Sequence, residues 1–295
     1  MNEALRGLQV IGVRYGGRRH VPQGQRVLDE CLAADVYSAC GVPVEVTEPT
    51  VDDHPAESEP VALGRIGGAI ADVVAAARAG AKSVLMTGGN CHHVTGVVGG
   101  LQDVHGADAR IGLVWFDAHG DINTPQISIS GSLGGMPVSV CAGLSFPQWR
   151  IGSHITAALP SDRILMVDVR NLDPEEARLV QAVGIEVAAP AAGYPGTDLT
   201  EAVARFSEGV DLIYLHIDSD ILDETLVPNH GTKEPDGPDM AQTLAAVDLV
   251  MATGKVVAAA VVSVFDDGDG AEIGMTSGLE LIRGTLESWS RHGGC

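Results

Sequence analysis

Two short apolar runs, each ending in acids spaced two apart, constrain this chain more than any other feature. The first is Ile111-Gly112-Leu113-Val114-Trp115-Phe116, continued by Asp117-Ala118-His119-Gly120-Asp121. The second is Leu212-Ile213-Tyr214-Leu215-His216-Ile217, continued by Asp218-Ser219-Asp220. Runs of this length and apolarity read as buried strands. If the extended backbone persists, alternate side chains share a face. Asp117, His119 and Asp121 then point one way, and so do Asp218 and Asp220. Placed side by side, the two strands gather four carboxylates and an imidazole. Carboxylates so close do not all ionise without cations between them. The count suits two divalent metals sharing bridging carboxylates, an arrangement that activates water. Solvated polar residues at a strand end are the plainer reading, but that accounts for one acid well and for three alternating ligands poorly.

The rest of the chain alternates strand and helix patterns. Strands are expected at 8–13, 44–46, 83–87, 163–169, 184–187 and 256–264, beside the two already named. Helices are expected at 27–40, 61–79, 94–104, 199–206, 240–253 and 279–290, with Asp173 as the N-cap of another. Residues 48–60, 128–137 and 226–237 read as loops. Gly88-Gly89-Asn90-Cys91-His92-His93 is a turn at a strand's carboxyl end, where open α/β sheets bind ligands. The alternation predicts an α/β fold, a three-layer αβα arrangement with a mostly parallel central sheet. At 295 residues one large domain or two small ones fit. With no linker and no repeat, a single domain over 1–295 is expected.

The formal net charge of −21 argues against nucleic acid and anionic membrane as partners. No uncharged apolar run reaches the length of a membrane span. Cys31, Cys40, Cys91, Cys141 and Cys295 form no CxxC pair and no disulfide framework. A reducing, cytoplasmic setting is therefore expected.

These motifs resemble a known family. Asp117-Ala118-His119-Gly120-Asp121-Ile122-Asn123-Thr124-Pro125 is similar to the DAHxDxN metal motif of the arginases and agmatinases, the ureohydrolases. His216-Ile217-Asp218-Ser219-Asp220 resembles that family's second metal motif, and Gly88-Gly89-Asn90-Cys91 its GGDH motif. The likeness covers roughly residues 60 to 290, with the motifs in family order. It implies a dinuclear manganese centre that holds a hydroxide to attack a guanidine carbon, releasing an amine and urea. By position, Asp117 and Asp218 would bridge the metals. His119 and Asp220 would complete one metal site and Asp121 would serve the other, with Asp121, Asp117 and Asp218 together holding the hydroxide. Relatives form trimers, hexamers or monomers, and a homo-oligomer is expected.

The chain departs from the family at several positions. Cys91 replaces the His of GGDH, and thiolate is a softer ligand that prefers zinc-like ions to manganese. His92 and His93 point elsewhere in this register, and His92 reads as a polar loop residue. In Ser130-Gly131-Ser132-Leu133-Gly134, Gly134 stands where arginases carry a proton-shuttling His, and Ser132 replaces an Asn. An alkyl-guanidinium substrate would then lack an acid for its leaving group. An N-hydroxyguanidine is less basic and easier to attack, so N-hydroxy-arginine is favoured as substrate, giving ornithine and hydroxyurea. The branch of the family acting on that compound shares the Cys-and-Gly pattern. Asn123 and Ser130 match residues that hold the substrate carboxylate, Asp173 the one that meets the α-amino group, and Thr232 a guanidinium contact. The family's guanidinium-gripping Glu has no clear counterpart. Ser263 lies in the best register, with Asp266 or Asp267 if the register slips. Arginine, agmatine or another guanidino acid are the alternative substrates. A non-catalytic binding protein and a one-zinc deacetylase of related fold are readings from other classes. The survival of five of six family ligands argues against the first, and the paired motifs against the second.

Overall fold

The computed structural model describes residues 7–21 and 25–294; Cys295 lies outside them. Among the described residues ten strands occur in the order β1 Leu8–Val13, β2 Tyr15–Gly16, β3 Arg19–His20, β4 Val44–Thr47, β5 Ser83–Gly88, β6 Ile111–Phe116, β7 Ile164–Val167, β8 Glu186–Ala188, β9 Leu212–Asp218 and β10 Val256–Val262. Eight of them build one sheet in the order β4-β1-β5-β10-β9-β6-β7-β8. Every pairing in that sheet is parallel. The remaining two, β2 and β3, form a small antiparallel hairpin.

The sheet is buried on both faces, which is why its central strands are apolar throughout rather than alternating. Met86, Leu113, Trp115, Tyr214 and Ala260 face one helical layer, made by Glu59–Ala79, Val94–His105 and Pro174–Val183. Leu85, Val114, Phe116, Leu215 and Val261 face the other, made by Val27–Ala33, Leu199–Gly209, Met240–Met251 and Ala271–Arg291. The expected αβα layering is present. Between β5 and β6 the chain passes over two strands, β10 and β9, which are filled later. The carboxyl ends of four adjacent strands therefore open into one crevice, the usual ligand position in such sheets.

Glu59–Ala79 is long and apolar enough, by length and composition, to cross a membrane. It is not an uncharged run, since it carries Arg65, Asp72 and Arg78. In this fold it is a core helix, with 56% of its most apolar stretch buried. It packs on Val94–His105 and Pro147–Gly152 through small residues. A Cβ added to Gly96 would lie 2.6 Å from the Gly67 carbonyl oxygen, and one on Gly99 only 1.7 Å from that of Ser153.

Element ends differ from expectation where local chemistry intervenes. The 27–40 helix divides into Val27–Ala33 and a 3-10 turn, Val36–Cys40, because Asp35 takes a left-handed conformation. Short helices at Pro137–Cys141 and Pro147–Gly152 and the Tyr15–His20 hairpin lie in stretches with too few residues for periodicity to register. The closing helix begins at Ala271, eight residues before the apolar pattern does.

Two outcomes follow from this packing. Gly99→Ala should destabilise the protein by about 2 kcal/mol or more through backbone overlap, although alanine is the better helix former; urea unfolding measures this. Asp248 accepts from Ser288 Oγ at 2.6 Å, Arg291 Nη2 at 2.7 Å and His292 Nε2 at 3.2 Å. The Ser288 and Arg291 contacts lower its pKa to about 2. Such a group contributes stability above the unfolded carboxylate range, and the contribution is lost as pH falls toward 2. The side chain is 38% exposed, so screening limits the effect. Asp248→Ala should cost about 0.5–1 kcal/mol near neutral pH. That deficit should shrink in thermal melts taken between pH 5 and 3.

Candidate metal centre

The crevice is furnished by the residues that follow β5, β6, β9 and β10. After β5, Gly88 and Gly89 both take positive φ, +76° and +69°. A Cβ on Gly88 would meet the Val13 carbonyl oxygen at 2.7 Å, so glycine is required for the turn that presents Cys91. After β6 the strand does not persist. It ends at Phe116, and Asp121 adopts φ +47°. Asp117, His119 and Asp121 thus reach the crevice from an irregular turn, not from one face of a strand. After β9 a 3-10 turn, Ser219–Ile221, carries Asp220. After β10, Ser263 enters with φ +60° and hydrogen-bonds the Gly89 carbonyl through its backbone N–H at 3.0 Å. Of Ser263, Asp266 and Asp267, it is Ser263 that lines the cavity above the crevice. Asp266 pairs instead with Arg26 at 3.9 Å.

Asp218 lies at the middle. Its Oδ2 accepts from Cys91 Sγ at 2.9 Å and Ser263 Oγ at 2.5 Å. Its Oδ1 accepts from the Asp220 backbone N–H at 3.0 Å and lies 3.3 Å from His230 Nε2. Burial alone would raise its pKa, but His230, Cys91 and Ser263 outweigh burial and hold it below the usual carboxylate range. Asp117 and Asp121 go the other way. Burial and then neighbouring charges, Asp220 and Asp121 around Asp117 and Asp218 around Asp121, push both well up. The Cys91 thiol is likewise pushed up by burial and by Asp218. His119 is raised to about 12, because contacts to Asp117 and Asp220 overcome its burial. Its Nδ1 lies 3.3 Å from Asp117 and 3.2 Å from Asp220. Its Nε2 lies 3.4 Å from Glu234 Oε1.

Three overlapping sets of donors each converge within 4.8 Å: Cys91, Asp117 and Asp218; Asp117, His119 and Asp220; Asp218, Asp220 and His230. Asp117, Asp218 and Asp220 each belong to two sets, as carboxylates bridging or neighbouring paired cations would. Burying this many acids without counter-charge is costly. The donor set therefore fits divalent metals, with oxygen and imidazole ligands suiting manganese and the thiol of Cys91 departing from that chemistry. Asp121 falls outside the close sets but faces the same crevice.

Above these residues lies a cavity of about 330 Å³. Asn123, Ser130, Asp173 and Thr232, the expected substrate contacts, all line it. Asn123 Nδ2 donates to Asp173 Oδ2 at 3.3 Å, while the buried Asn123 Oδ1 has no partner among the described residues. Asp173 also caps Pro174–Val183 as expected. Thr232 Oγ1 donates to Asp220 Oδ2 at 3.1 Å. Gly134 and His92 line the cavity as well, so His92 is not simply a polar loop residue.

Sequence reasoning missed His230, Glu234 and Arg170. His230 sits in the 226–237 loop and packs its ring on Phe265 at 5.0 Å. No spacing tied it to the metal motifs. Arg170 fixes that loop. Its guanidinium pairs with Asp168 and donates to the carbonyls of Asp220, Ile221, Leu222, Glu234 and Pro235. A lone Arg after a strand gave no signal of this.

Comparison with known proteins agrees with the geometry. The model of the arginase family matches residues 15–285. The chain belongs to the arginase family. Arginase from Eremothecium gossypii is 29% identical over 264 residues, 83% of this chain and 65% of that protein. Arginase from Bacillus caldovelox is 30% identical over 153 residues, half of each chain. The matches thus span about half to two thirds of these relatives' lengths. The solved structure of Entamoeba histolytica arginase with L-ornithine superposes with a TM-score of 0.82, covering 97% of this chain and 99% of that one at 21% identity. A Bacillus subtilis formimidoylglutamase has the same fold, with a TM-score of 0.73 and 13% identity.

Metal content is the direct check on this family member's centre. Loaded with manganese as the probe ion and dialysed, Asp117→Ala should keep less of it than the native chain, because the change removes a carboxylate shared by two donor sets, and Cys91→His should keep more, measured as atoms per chain by elemental mass spectrometry.

Proposed function

We propose that this arginase-family chain hydrolyses the guanidino group of an amino-acid-like substrate, and that N-hydroxy-arginine is preferred over arginine. The observation that carries the reading is the pairing of an acid-rich donor set with a cavity that has an acid, Asp173, for an amino group but only the neutral Gly134 and Ser263 at the two positions that depart from the family pattern. In this reading two manganese ions would be held by Asp117 and Asp218 in common, with His119 and Asp220 serving one and Cys91 and Asp121 the other. Bound, such a pair supplies water activated at neutral pH.

The chain's own residues orient the substrate. Asp173 carries the negative charge that an α-ammonium group needs, with Asn123 beside it and Ser130 at the rim for the carboxylate. Thr232, held on Asp220, stands at the reacting end. Ser263 occupies the place of a guanidinium-gripping Glu, and its hydroxyl is already donated to Asp218. The cavity is thus short of one negative charge and, at Gly134, of one proton donor. A protonated guanidinium with a basic leaving nitrogen is poorly served there. An N-hydroxyguanidine is less basic, so more of it is neutral near pH 7. Water adds to its central carbon, the bond to the side-chain nitrogen breaks, and that nitrogen leaves with a proton as the ornithine amine, with hydroxyurea as the other product. We extend the reading to a homo-oligomeric, cytoplasmic enzyme on family likeness.

Manganese-loaded protein incubated separately with arginine, N-hydroxy-arginine, agmatine and guanidinobutyrate should yield ornithine chiefly from N-hydroxy-arginine by mass spectrometry. Ornithine chiefly from arginine would make this a plain arginase. Turnover of agmatine or guanidinobutyrate alone would remove the amino-acid assignment.

A further inference from the structure

His92 lies on the wall of the cavity, with both its ring and its backbone held in place. It stacks on the buried Trp149, with ring centroids 5.8 Å apart and planes 26° apart. Trp149 is itself anchored by its indole N–H, which donates to Thr95 Oγ1 at 3.1 Å. Thr95 Oγ1 in turn donates to the His92 carbonyl at 3.3 Å. On the imidazole, Nδ1 lies 2.8 Å from Asn90 Oδ1. An amide oxygen only accepts, so Nδ1 carries the proton and Nε2 presents a lone pair. Among the described residues Nε2 has no hydrogen-bond partner.

What keeps that lone pair open is Gly134. A Cβ at Gly134 would stand 3.5 Å from His92 Cε1 and 3.9 Å from Nε2, in ordinary contact with the ring edge. Any longer side chain there would cover it. The same Cβ would lie 3.4 Å from Ser132 Oγ. That oxygen accepts from the Gly134 backbone N–H at 3.2 Å, leaving its own hydroxyl hydrogen free to donate. The next residue, Gly135, borders the metal centre, with its added Cβ 3.9 Å from Asp121 Oδ1. The space vacated at position 134 is therefore a small polar recess beside the reacting end, with an acceptor on one side and a donor on the other.

The geometry points to a hydroxyl-binding subsite in this recess, in which His92 Nε2 accepts from the N–OH group of an N-hydroxyguanidine and Ser132 Oγ donates to the same oxygen. His92 is then a specificity-determining residue, and Gly134 is the opening that admits the extra oxygen. The inference rests on the N-hydroxy-arginine reading above and names what would enforce it. A site built to bond a hydroxyl rejects the analogue lacking it more strongly than an apolar pocket does, because its polar groups are left unpaired.

The test is the ratio of kcat/KM for N-hydroxy-arginine to that for arginine, measured in manganese-loaded native protein, His92→Phe and Gly134→Leu. His92→Phe keeps a ring on Trp149 and removes the acceptor. Gly134→Leu leaves His92 in place and fills the recess, so it serves if the first variant fails to fold. Each variant should lower the ratio about tenfold or more, the loss of one well-placed hydrogen bond. His92→Gln, which restores an acceptor, should recover part of it. A native preference that survives in both folded variants overturns the subsite and leaves the substrate reading standing. A native protein with no preference for N-hydroxy-arginine overturns both.

Discussion

Asp218 is the carboxylate on which the centre depends. Its two oxygens gather a thiol from the turn after β5, a hydroxyl from the end of β10, a backbone N–H from its own turn and an imidazole from a distant loop. The turn after β5, the end of β10 and the loop that follows β9 are thus registered against one buried anion. That anion is possible only because each oxygen is satisfied, since an unpaired buried carboxylate would protonate instead. At Asp117 and Asp121 burial and neighbouring carboxylates prevail, and both are pushed the other way. The centre therefore holds one carboxylate stabilised by the protein and two whose charge calls for a cation.

Much of this architecture was readable in the chain. The αβα layering follows from apolar runs alternating with helical periods, because strands covered on both faces have no polar side to show. The metal donors were readable because Asp117, His119, Asp218 and Asp220 sit directly after such runs, where a buried acid is costly unless it meets a cation or a full set of donors. The geometry joining them was not. Strand alternation placed Asp117, His119 and Asp121 on one face, yet the strand stops at Phe116 and the left-handed Asp121 redirects the turn. His230 and Glu234 were illegible for a different reason. They lie in an irregular loop whose position is set by tertiary bonds to Arg170, and no periodicity reports such bonds.

The departures from the family pattern are physically related. By the family resemblance, Ser263 stands in for a negative charge that would hold a cation, and Gly134 for a side chain able to donate a proton. His92, fixed on Trp149, presents a lone pair where that side chain would have stood. In the proposed reading all three favour a neutral guanidine-like group bearing a hydroxyl. Cys91 belongs with them only in part, because its thiol is committed to Asp218 and Asp117 and bears on the metal rather than on the recess.

The two walls of the cavity are built differently. One, the 220–235 loop, is tied to Arg170 through backbone carbonyls, so its path is independent of most side chains along it. The other, the 128–135 loop, is held by serine hydroxyls to nearby backbone N–H groups and is largely exposed. Apart from Asp220, His230, Thr232 and Glu234, which reach the centre, side chains on the first wall are free to diverge while its outline stays fixed. Length changes belong on the second, where an added residue disturbs only local bonds. Substrates of different reach are therefore more readily accommodated in this scaffold by recutting the serine-glycine wall than by altering the clamped one.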